Sequence, residues 1–497
     1  MTVVNPKSIS GINSITTGSG SDNLLTIHTN DGTERVRVDS TGTTKIVTGI
    51  VTTLTATTGI VTTLTTNTLT ANSTAKVGSG VTLSPDGDVF VTGVTTSTTV
   101  QVGGGVTISE SGIEASGIGI TVANINGGAV SGRRNMIING DQRLAQRNTT
   151  AKLVTTDATY RCVDRFKTDI DGSSGGNFFH GQTGAGTSIT ADVPTGQGFT
   201  HSSKITVNAS VSQPSGTDNR HQFYTMLEKQ DVAHLEWGTS AAKTCTLSFW
   251  VKSSVAGTYI LWIKFYGATA YHYYTNYTID SANTWEKKVI TLTGHTSGGN
   301  VSGTVTDQGF LIEWNLGTSS GNETGTLNEW TTSDTIRAAS GSVYLPENSG
   351  ATWYLTGVQF EVGSQATAFE HRSFAEELNL CKRYYQKSYA YGTAPGTADS
   401  FLNQLIGRAY ATVTNRMELQ TRFEVEMRTT PTLTTYTPSG GTTGKVEDYA
   451  SGTGTAAGTA RDVAAVRNLG NKGFGGISVS PSQDGVLGVH YTAYAEM

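Results

Sequence analysis

The first quarter of the chain repeats itself. Thr48-Gly49-Ile50-Val51-Thr52-Thr53-Leu54-Thr55 recurs unchanged as Thr58-Gly59-Ile60-Val61-Thr62-Thr63-Leu64-Thr65. A longer unit, Val77-Gly78-Ser79-Gly80-Val81-Thr82-Leu83-Ser84, returns in looser form as Val102-Gly103-Gly104-Gly105-Val106-Thr107-Ile108-Ser109. Each copy then passes through a polar turn, Asp86-Gly87 or Ser111-Gly112. Branching at Cβ suits Thr and Val to a pleated surface, and Gly supplies the turns. Small apolar and Thr side chains alternating with period two cannot bury a core within one chain. Repeats of this kind need neighbours to complete their hydrophobic face. Three intertwined copies supply those neighbours and remove exposed strand edges, so residues 1–130 are expected to form the β shaft of a homotrimer. The competing reading is a flexible low-complexity linker; the rarity of large apolar residues favours it and the strictness of the repeats opposes it.

Composition narrows the class. With 60 Gly, only 15% charged residues and a net charge of −5 over 497 residues, the chain lacks the high net charge that usually accompanies disorder. Assembled β structure is the expectation. No apolar run is long enough to span a bilayer and no signal-peptide pattern follows Met1, so neither membrane insertion nor export is expected. Cys162, Cys245 and Cys381 stand far apart in no ligand spacing, as reduced, buried thiols of a protein made in a cytosol do. A pI near 6.0 leaves no basic footprint for nucleic acid.

After a hinge at Ser131-Gly132-Arg133-Arg134, aromatics become common and strands lengthen. Lys243–Ser253, Thr258–Gly267, Trp285–Thr293, Gly309–Leu316 and Thr352–Glu361 read as strands separated by Gly/Ser/Asn turns, which predicts an antiparallel two-sheet sandwich over 131–372. Ser373–Ser388 reads as one connecting helix, placed at 373–390. Ser373 and Glu376 make a capping-box pattern, and Phe374, Leu378, Cys381 and Tyr385 form an apolar stripe. That stripe packs either on its own sandwich or between protomers. Residues 391–497 read as a smaller C-terminal β domain. There Met417 to Arg428 alternates as a strand with one wet face, and Val489, Tyr491, Ala493 and Ala495 alternate similarly. The fold class expected is thus all-β.

Two motifs bracket the central region: Asn135-Met136-Ile137-Ile138-Asn139-Gly140-Asp141 with Asp164-Arg165-Phe166, and Gly357-Val358-Gln359-Phe360-Glu361-Val362-Gly363-Ser364 with Ala368-Phe369-Glu370-His371-Arg372. Together with Leu380-Cys381-Lys382-Arg383-Tyr384-Tyr385 they resemble the carbohydrate-binding-module-like jelly rolls in tail fibres of tailed bacteriophages, over roughly 133–390. The resemblance implies a virion attachment fibre, made in the host cytoplasm and joined through its N-terminus to other tail or baseplate proteins. Thr2 to Lys7 are the tether by position. The implied function is noncovalent recognition of a host-surface polysaccharide. The alternative is a purely structural fibre, head decoration or tail connector. Relatives among such modules hold a structural Ca²⁺. Asp141 stands where that ion would need it, but the closing strand, Tyr354-Leu355-Thr356-Gly357-Val358, lacks the carboxylate. Asp169-Ile170-Asp171-Gly172 is only half a calcium loop. No metal or other cofactor is therefore expected.

Strand parity separates core side chains from candidate contacts. Cys245, Leu247, Phe249 and Val251 take one face, as do Tyr259, Leu261, Ile263 and Phe265, and Phe310, Ile312, Trp314 and Leu316. If the three strands share a sheet, Trp250, Lys252, Trp262, Lys264, Tyr266, Glu313 and Asn315 lie together on the other face, with Gln222 and Tyr224 joining them. Aromatic rings cover the C–H faces of a pyranose while amides and charges bond its hydroxyls. The competing reading packs these aromatics under loops or against a neighbouring protomer. Glycoside hydrolysis needs two carboxylates flanking one bond, and no such pair stands out. Nor is there a GxSxG elbow, an HExxH or a P-loop. A binding protein rather than an enzyme is expected, with polysaccharide depolymerase the less favoured possibility.

Overall fold

The computed structural model describes residues 25–28, 32–38, 44–46, 99–102, 106–109 and 112–115, and then 133–497. Within that last span it omits 149, 156–159, 172–175, 185–191, 217–219, 324–325, 335–337, 399–400, 411–415, 450–456 and 481–484. The chain divides into two compact units, Met1–Glu114 and Ala115–Met497.

In the first unit, β1 (Leu25–His28), β2 (Glu34–Val38) and β3 (Thr44–Ile46) form one antiparallel sheet. The strands β4 (Thr99–Val102), β5 (Val106–Ser109) and β6 (Gly112–Ala115) lie in order in a second. The later copy of the longer repeat thus contains β5, which pairs antiparallel with β4, Val106 opposite Val102. The earlier copy, the ten-residue repeat and the Thr2–Lys7 tether lie outside the described residues.

The second unit opens with a sandwich of two six-stranded antiparallel sheets. Its strands are β7 (Lys152–Val154), β8 (Phe166–Asp171), β9 (Asn177–Thr183), β10 (Ser202–Ala209), β11 (Arg220–Glu228), β12 (Cys245–Ser253), β13 (Gly257–Tyr266), β14 (Ala270–Ile279), β15 (Glu286–Leu292), β16 (Gln308–Thr318), β17 (Trp330–Thr331) and β18 (Thr352–Val362). The first sheet runs β15-β12-β18-β10-β9-β7 and the second β17-β14-β13-β16-β11-β8. Between them lies one hydrophobic core. Phe249, Leu261, Ile312 and Trp314, on the faces that strand parity assigns inward, are fully buried in it, and so is Trp353.

The two bracketing motifs meet at the end of this sandwich. Asn139 takes a left-handed backbone (φ 60°), and its side chain bonds Leu144 N and the Leu144 and Asp164 carbonyls. Gly140 then passes against the closing strand: Val358 N donates to the Gly140 carbonyl at 2.9 Å. A Cβ at 140 would fall inside the Val358 carbonyl oxygen. Glu370 accepts from Arg134 N and Asn135 N, both at 2.7 Å, and Arg372 donates to the Asn135 and Ile137 carbonyls. Glycine is required here because two backbones touch.

A short helix, α1 (Lys229–Val232), follows β11, and α2 (Phe374–Lys382) leaves the sandwich. Ser373 caps α2 by accepting from Glu376 N at 3.3 Å, while the Glu376 carboxylate turns to Arg133. The helix ends at Lys382, six residues before the expected Ser388. Tyr384 is drawn to Glu228 (2.6 Å), and β19 (Tyr385–Lys387) instead pairs with the last strand of the chain, Gly485–Tyr494. Of the expected stripe, Phe374 is exposed. The packed positions are Glu377 and Cys381, because Glu377 bonds Arg372 and Asn139 N.

The C-terminal domain is a small barrel. Its strands are β20 (Leu405–Tyr410), β21 (Arg416–Arg422), β22 (Thr432–Tyr436), β23 (Lys445–Asp448), β24 (Thr459–Arg467), β25 (Gly473–Ser480) and β26 (Gly485–Tyr494). The order β26-β20-β21-β25-β24-β23 closes because β23 pairs again with β26. The strand expected over Met417–Arg428 stops at Arg422. Beyond it Phe423 N and Met427 N donate to Lys472 and Asn471 carbonyls, which turns Phe423 and Met427 into the barrel core. Val489, Tyr491, Ala493 and Ala495 are buried, but so are His490 and Thr492, since β26 is a central strand covered on both sides.

Barrel and sandwich join through buried charge. Arg147 bonds Asp164 (2.9 Å) and Glu496 (2.8 Å), and Arg165 bonds Glu496 and stacks on Tyr384. Arg383 grips Glu228 at 2.6 and 2.8 Å.

Candidate glycan-recognition faces of the sandwich

Parity tells which side chains of a strand face the core, not which sheet the strand joins. The strands β13, β16 and β11 share the second sheet, whereas β12 lies in the first. Trp262, Lys264, Tyr266, Glu313, Asn315, Gln222 and Tyr224 thus come together on one outer face. Trp250 and Lys252 lie on the opposite side of the sandwich, and the expectation of one shared surface is corrected to that extent.

On the second sheet, register sets Tyr274, Trp262, Glu313, Tyr224 and Lys167 side by side across five strands. The adjoining row places Ile260, Asn315, Gln222 and Asp169 together. Trp262 stacks on His272 and Tyr274, with centroids 5.4 and 5.8 Å away, and its indole N–H donates to His272 Nδ1 at 3.1 Å. Gln222 donates to Glu313 at 2.5 Å, and Asn315 accepts from Gly317 N. Leu327 and Met497 pack over this cluster, and Tyr160 and Lys167 reach the Met497 carbonyl at 3.3 and 3.4 Å. Trp262, Tyr224, Glu313, Asn315 and Gln222 are therefore all 6% exposed or less. They are packed, as the competing sequence reading had it, and closed to a ligand in this state. Only Lys264 and Tyr266 remain half-buried at the margin, where Lys264 lies over the Tyr266 ring at 4.6 Å. Burial and the nearby Glu313 push the Tyr266 hydroxyl up to about 12. Tyr266 also borders a hollow of about 520 Å³ shared with Lys229, Asp307, Gln308, Arg428 and Met497.

Part of the outer face of the first sheet is open, around Trp250, Lys252, Lys204, Trp285 and Lys287. Lys252 pairs in register with Tyr354, and Tyr354 with Lys204, while Trp285 stands just before β15 at the other flank of Lys252. The Lys252 ammonium sits 4.2 Å from the Tyr354 ring centroid and 5.3 Å from that of Trp285. Lys204 approaches the same tyrosine at 5.2 Å, and the Trp285 and Tyr354 rings meet edge-on at 6.1 Å. Asp192 holds Lys252 at 2.8 Å. In the next row Trp250 lies between Lys287 and Thr356. Gly357 (φ 63°) leaves room there for Phe199 and Trp250, which a Cβ would strike. Trp250 and Trp285 are half-buried and Lys287 is exposed. Trp285, Tyr354 and Lys204 are the residues sequence reading missed. Trp285 precedes its strand by one residue, and nothing local placed β10 beside β18.

The Asp141 carboxylate faces Arg143 at 3.0 Å; burial raises its pKa while Arg143 opposes. Asp169 and Asp171 lie in the extended strand β8 rather than in a loop, and Gly172 lies outside the described residues. No group of three metal-ligating side chains occurs among the described residues. All three cysteines are buried and unpaired, and burial pushes Cys162 and Cys245 up to about 12.

No helix among the described residues is long and apolar enough to cross a membrane. No family model and no curated protein matches the chain. Among solved structures it is similar to the enzymatically active domain of tailspike protein 4 of bacteriophage CBA120, at 15% identity and a TM-score of 0.23. That match covers 46% of this chain and 21% of that one, so the chain spans about a fifth of the tailspike's length. It is similar to a family 11 carbohydrate-binding module from Clostridium thermocellum solved with a mixed-linked tetrasaccharide (14%, TM-score 0.21, covering 45% of this chain and 99% of that one). It is also similar to the xylan-binding CBM22-1 domain of Paenibacillus barcinonensis Xyn10C (8%, TM-score 0.22, 48% and 100%).

Proposed function

We propose that this chain is an attachment fibre of a bacteriophage virion that recognises a host-surface glycan noncovalently, through the open outer face of the first sandwich sheet. One observation carries the reading: Trp285, Lys252, Tyr354 and Lys204 stand in one row across three strands and the flank of a fourth. The half-buried Trp285 ring and the two ammonium groups of Lys252 and Lys204 are arranged there around the buried Tyr354 ring. Rings of this kind cover the C–H face of a pyranose, and ammonium groups donate to its oxygens. The row sits on paired strands of a rigid sandwich, so little ordering accompanies binding. The chemistry is adhesion without bond cleavage.

Threonine- and glycine-rich repeats in the first 130 residues support a shaft that three copies complete, anchored by its N-terminus to other virion proteins. Single sugar sites bind weakly, and three copies per fibre with several fibres per particle raise the avidity. Affinity electrophoresis of the full chain through gels containing host envelope polysaccharides tests this reading, with mass by sedimentation. A trimer retarded by polysaccharide, and released by Trp250→Ala with Trp285→Ala, is the expected result. A trimer that no envelope polysaccharide retards would make it a scaffold fibre.

A further inference from the structure

The charges on the same face name the class of ligand. Lys204, Lys252 and Lys287 all project from the outer side of the first sheet: Lys204 and Lys252 lie in one row with Tyr354, and Lys287 pairs with Trp250 in the next. Asp192 neutralises Lys252 at 2.8 Å. Neither Lys204 nor Lys287 has a carboxylate within 4 Å among the described residues. The chain as a whole carries a charge of −5, so an uncompensated pair of cations beside two tryptophans and a tyrosine runs against its general trend. Holding ammonium groups over ring faces fixes their direction. Lys252 is held twice, by Tyr354 and by Trp285.

We infer that the ligand of this face is an acidic polysaccharide. Trp285 and Trp250 would take the sugar rings, and Lys204 and Lys287 the carboxylates of successive uronic acid units. This rests on the glycan reading above and adds the charge to it. A neutral glycan offers the two ammonium groups only hydroxyl oxygens, whereas a polyanion pairs each with a carboxylate at the rim of the rings, a charge-assisted and stronger bond. Such an interface is partly exposed and is screened by salt over about 8 Å at physiological ionic strength, so its affinity falls as salt rises.

The probe is polygalacturonate, with its fully methyl-esterified form as the same backbone without charge. The full-length protein is run through gels containing either polymer at two salt concentrations. Retardation by polygalacturonate that weakens with salt is expected, and it should be about tenfold weaker in Lys204→Gln with Lys287→Gln, about 1.4 kcal/mol. A control pair in the C-terminal barrel, Lys445→Gln with Lys472→Gln, removes the same charge and should leave retardation unchanged. Equal retardation by both polymers, lost on Trp285→Ala, would overturn the acidic assignment and keep the glycan reading. Equal loss in both lysine pairs would reduce the effect to bulk charge and overturn it as well. If neither polymer retards the protein while Trp285→Ala lowers its sedimenting mass, the face is a contact between copies of this chain, and both readings fall.

Discussion

Acid should destabilise the sandwich through two histidines buried between its sheets. His221 lies between Phe178 and Tyr344, and neither ring nitrogen makes a well-formed hydrogen bond among the described residues. Burial lowers its pKa from 6.5 to about 4, with the Gly317 backbone opposing slightly. His180, whose Nδ1 meets Thr168 at 3.1 Å, is lowered to about 3. A folded pKa below the unfolded one means the unfolded chain takes up protons first. Stability is therefore unaffected by these groups above about pH 7 and falls as pH drops through 6.5 towards 4. Between pH 7 and pH 5, His221 alone removes about 2 kcal/mol by linkage. Raised carboxylates act the other way: Asp231, held near 6 by burial and Glu228, gains protons in the folded state over the same range. Comparison with His221→Phe cancels them, because the variant keeps every carboxylate. Urea unfolding at pH 7 and pH 5, followed by the buried tryptophans, should show a stability loss on acidification about 2 kcal/mol smaller in His221→Phe than in the wild type. Equal losses in the two proteins would mean that His221 stays protonatable in the folded state, and the argument from burial would be wrong.

Three further outcomes follow from packing. Gly140→Ala drives a methyl into the Val358 carbonyl and should lose about 1–3 kcal/mol of stability; Gly392→Ala, with nothing within 4 Å, should stay within about 0.5 kcal/mol of wild type by urea midpoint. Arg165→Leu leaves the buried Glu496 carboxylate to Arg147 alone and removes the stack on Tyr384; a loss of about 1.5–3 kcal/mol is expected, the scale of a hydrogen bond to a charged group, read as a lower unfolding temperature of the sandwich–barrel unit. Trp262→Ala should lower stability by about 3–5 kcal/mol yet leave polysaccharide retardation of the surviving folded protein unchanged, because that indole lies under Leu327 and Met497 rather than on the open face.

The inward faces of the long strands were readable because period two is a local property. Leu247, Ile263 and Trp314 could be assigned to the core without knowing their neighbours. Sheet membership is not local, since only the crossing from β12 to β13 decides that Trp250 and Trp262 point away from each other. The motif Asn139-Gly140-Asp141 stood out in the sequence, but its reason, a backbone contact with Val358, joins residues more than two hundred positions apart. The helix after Ser373 was visible from its cap. Its end was not, because Tyr385–Lys387 takes its conformation from β26. Likewise the burial of the Trp262–Tyr224 cluster involves Leu327 and Met497 packed against it, which no pattern in β13 or β11 encodes.

Strand β26 has a consequence for the order in which the barrel forms. Its first half pairs with β20 and β23, and its second half lies between β22 and β19. All four partners precede it in the chain, and Tyr385 waits for Tyr494 across about a hundred residues. Until β26 is in place, each of the four presents an unpaired edge, open to the wrong partner. Once it is in place, the ring has no seam that can open alone. The barrel is thus built to close late and in one step, and the amides of β26 should exchange with solvent only when the whole ring comes apart.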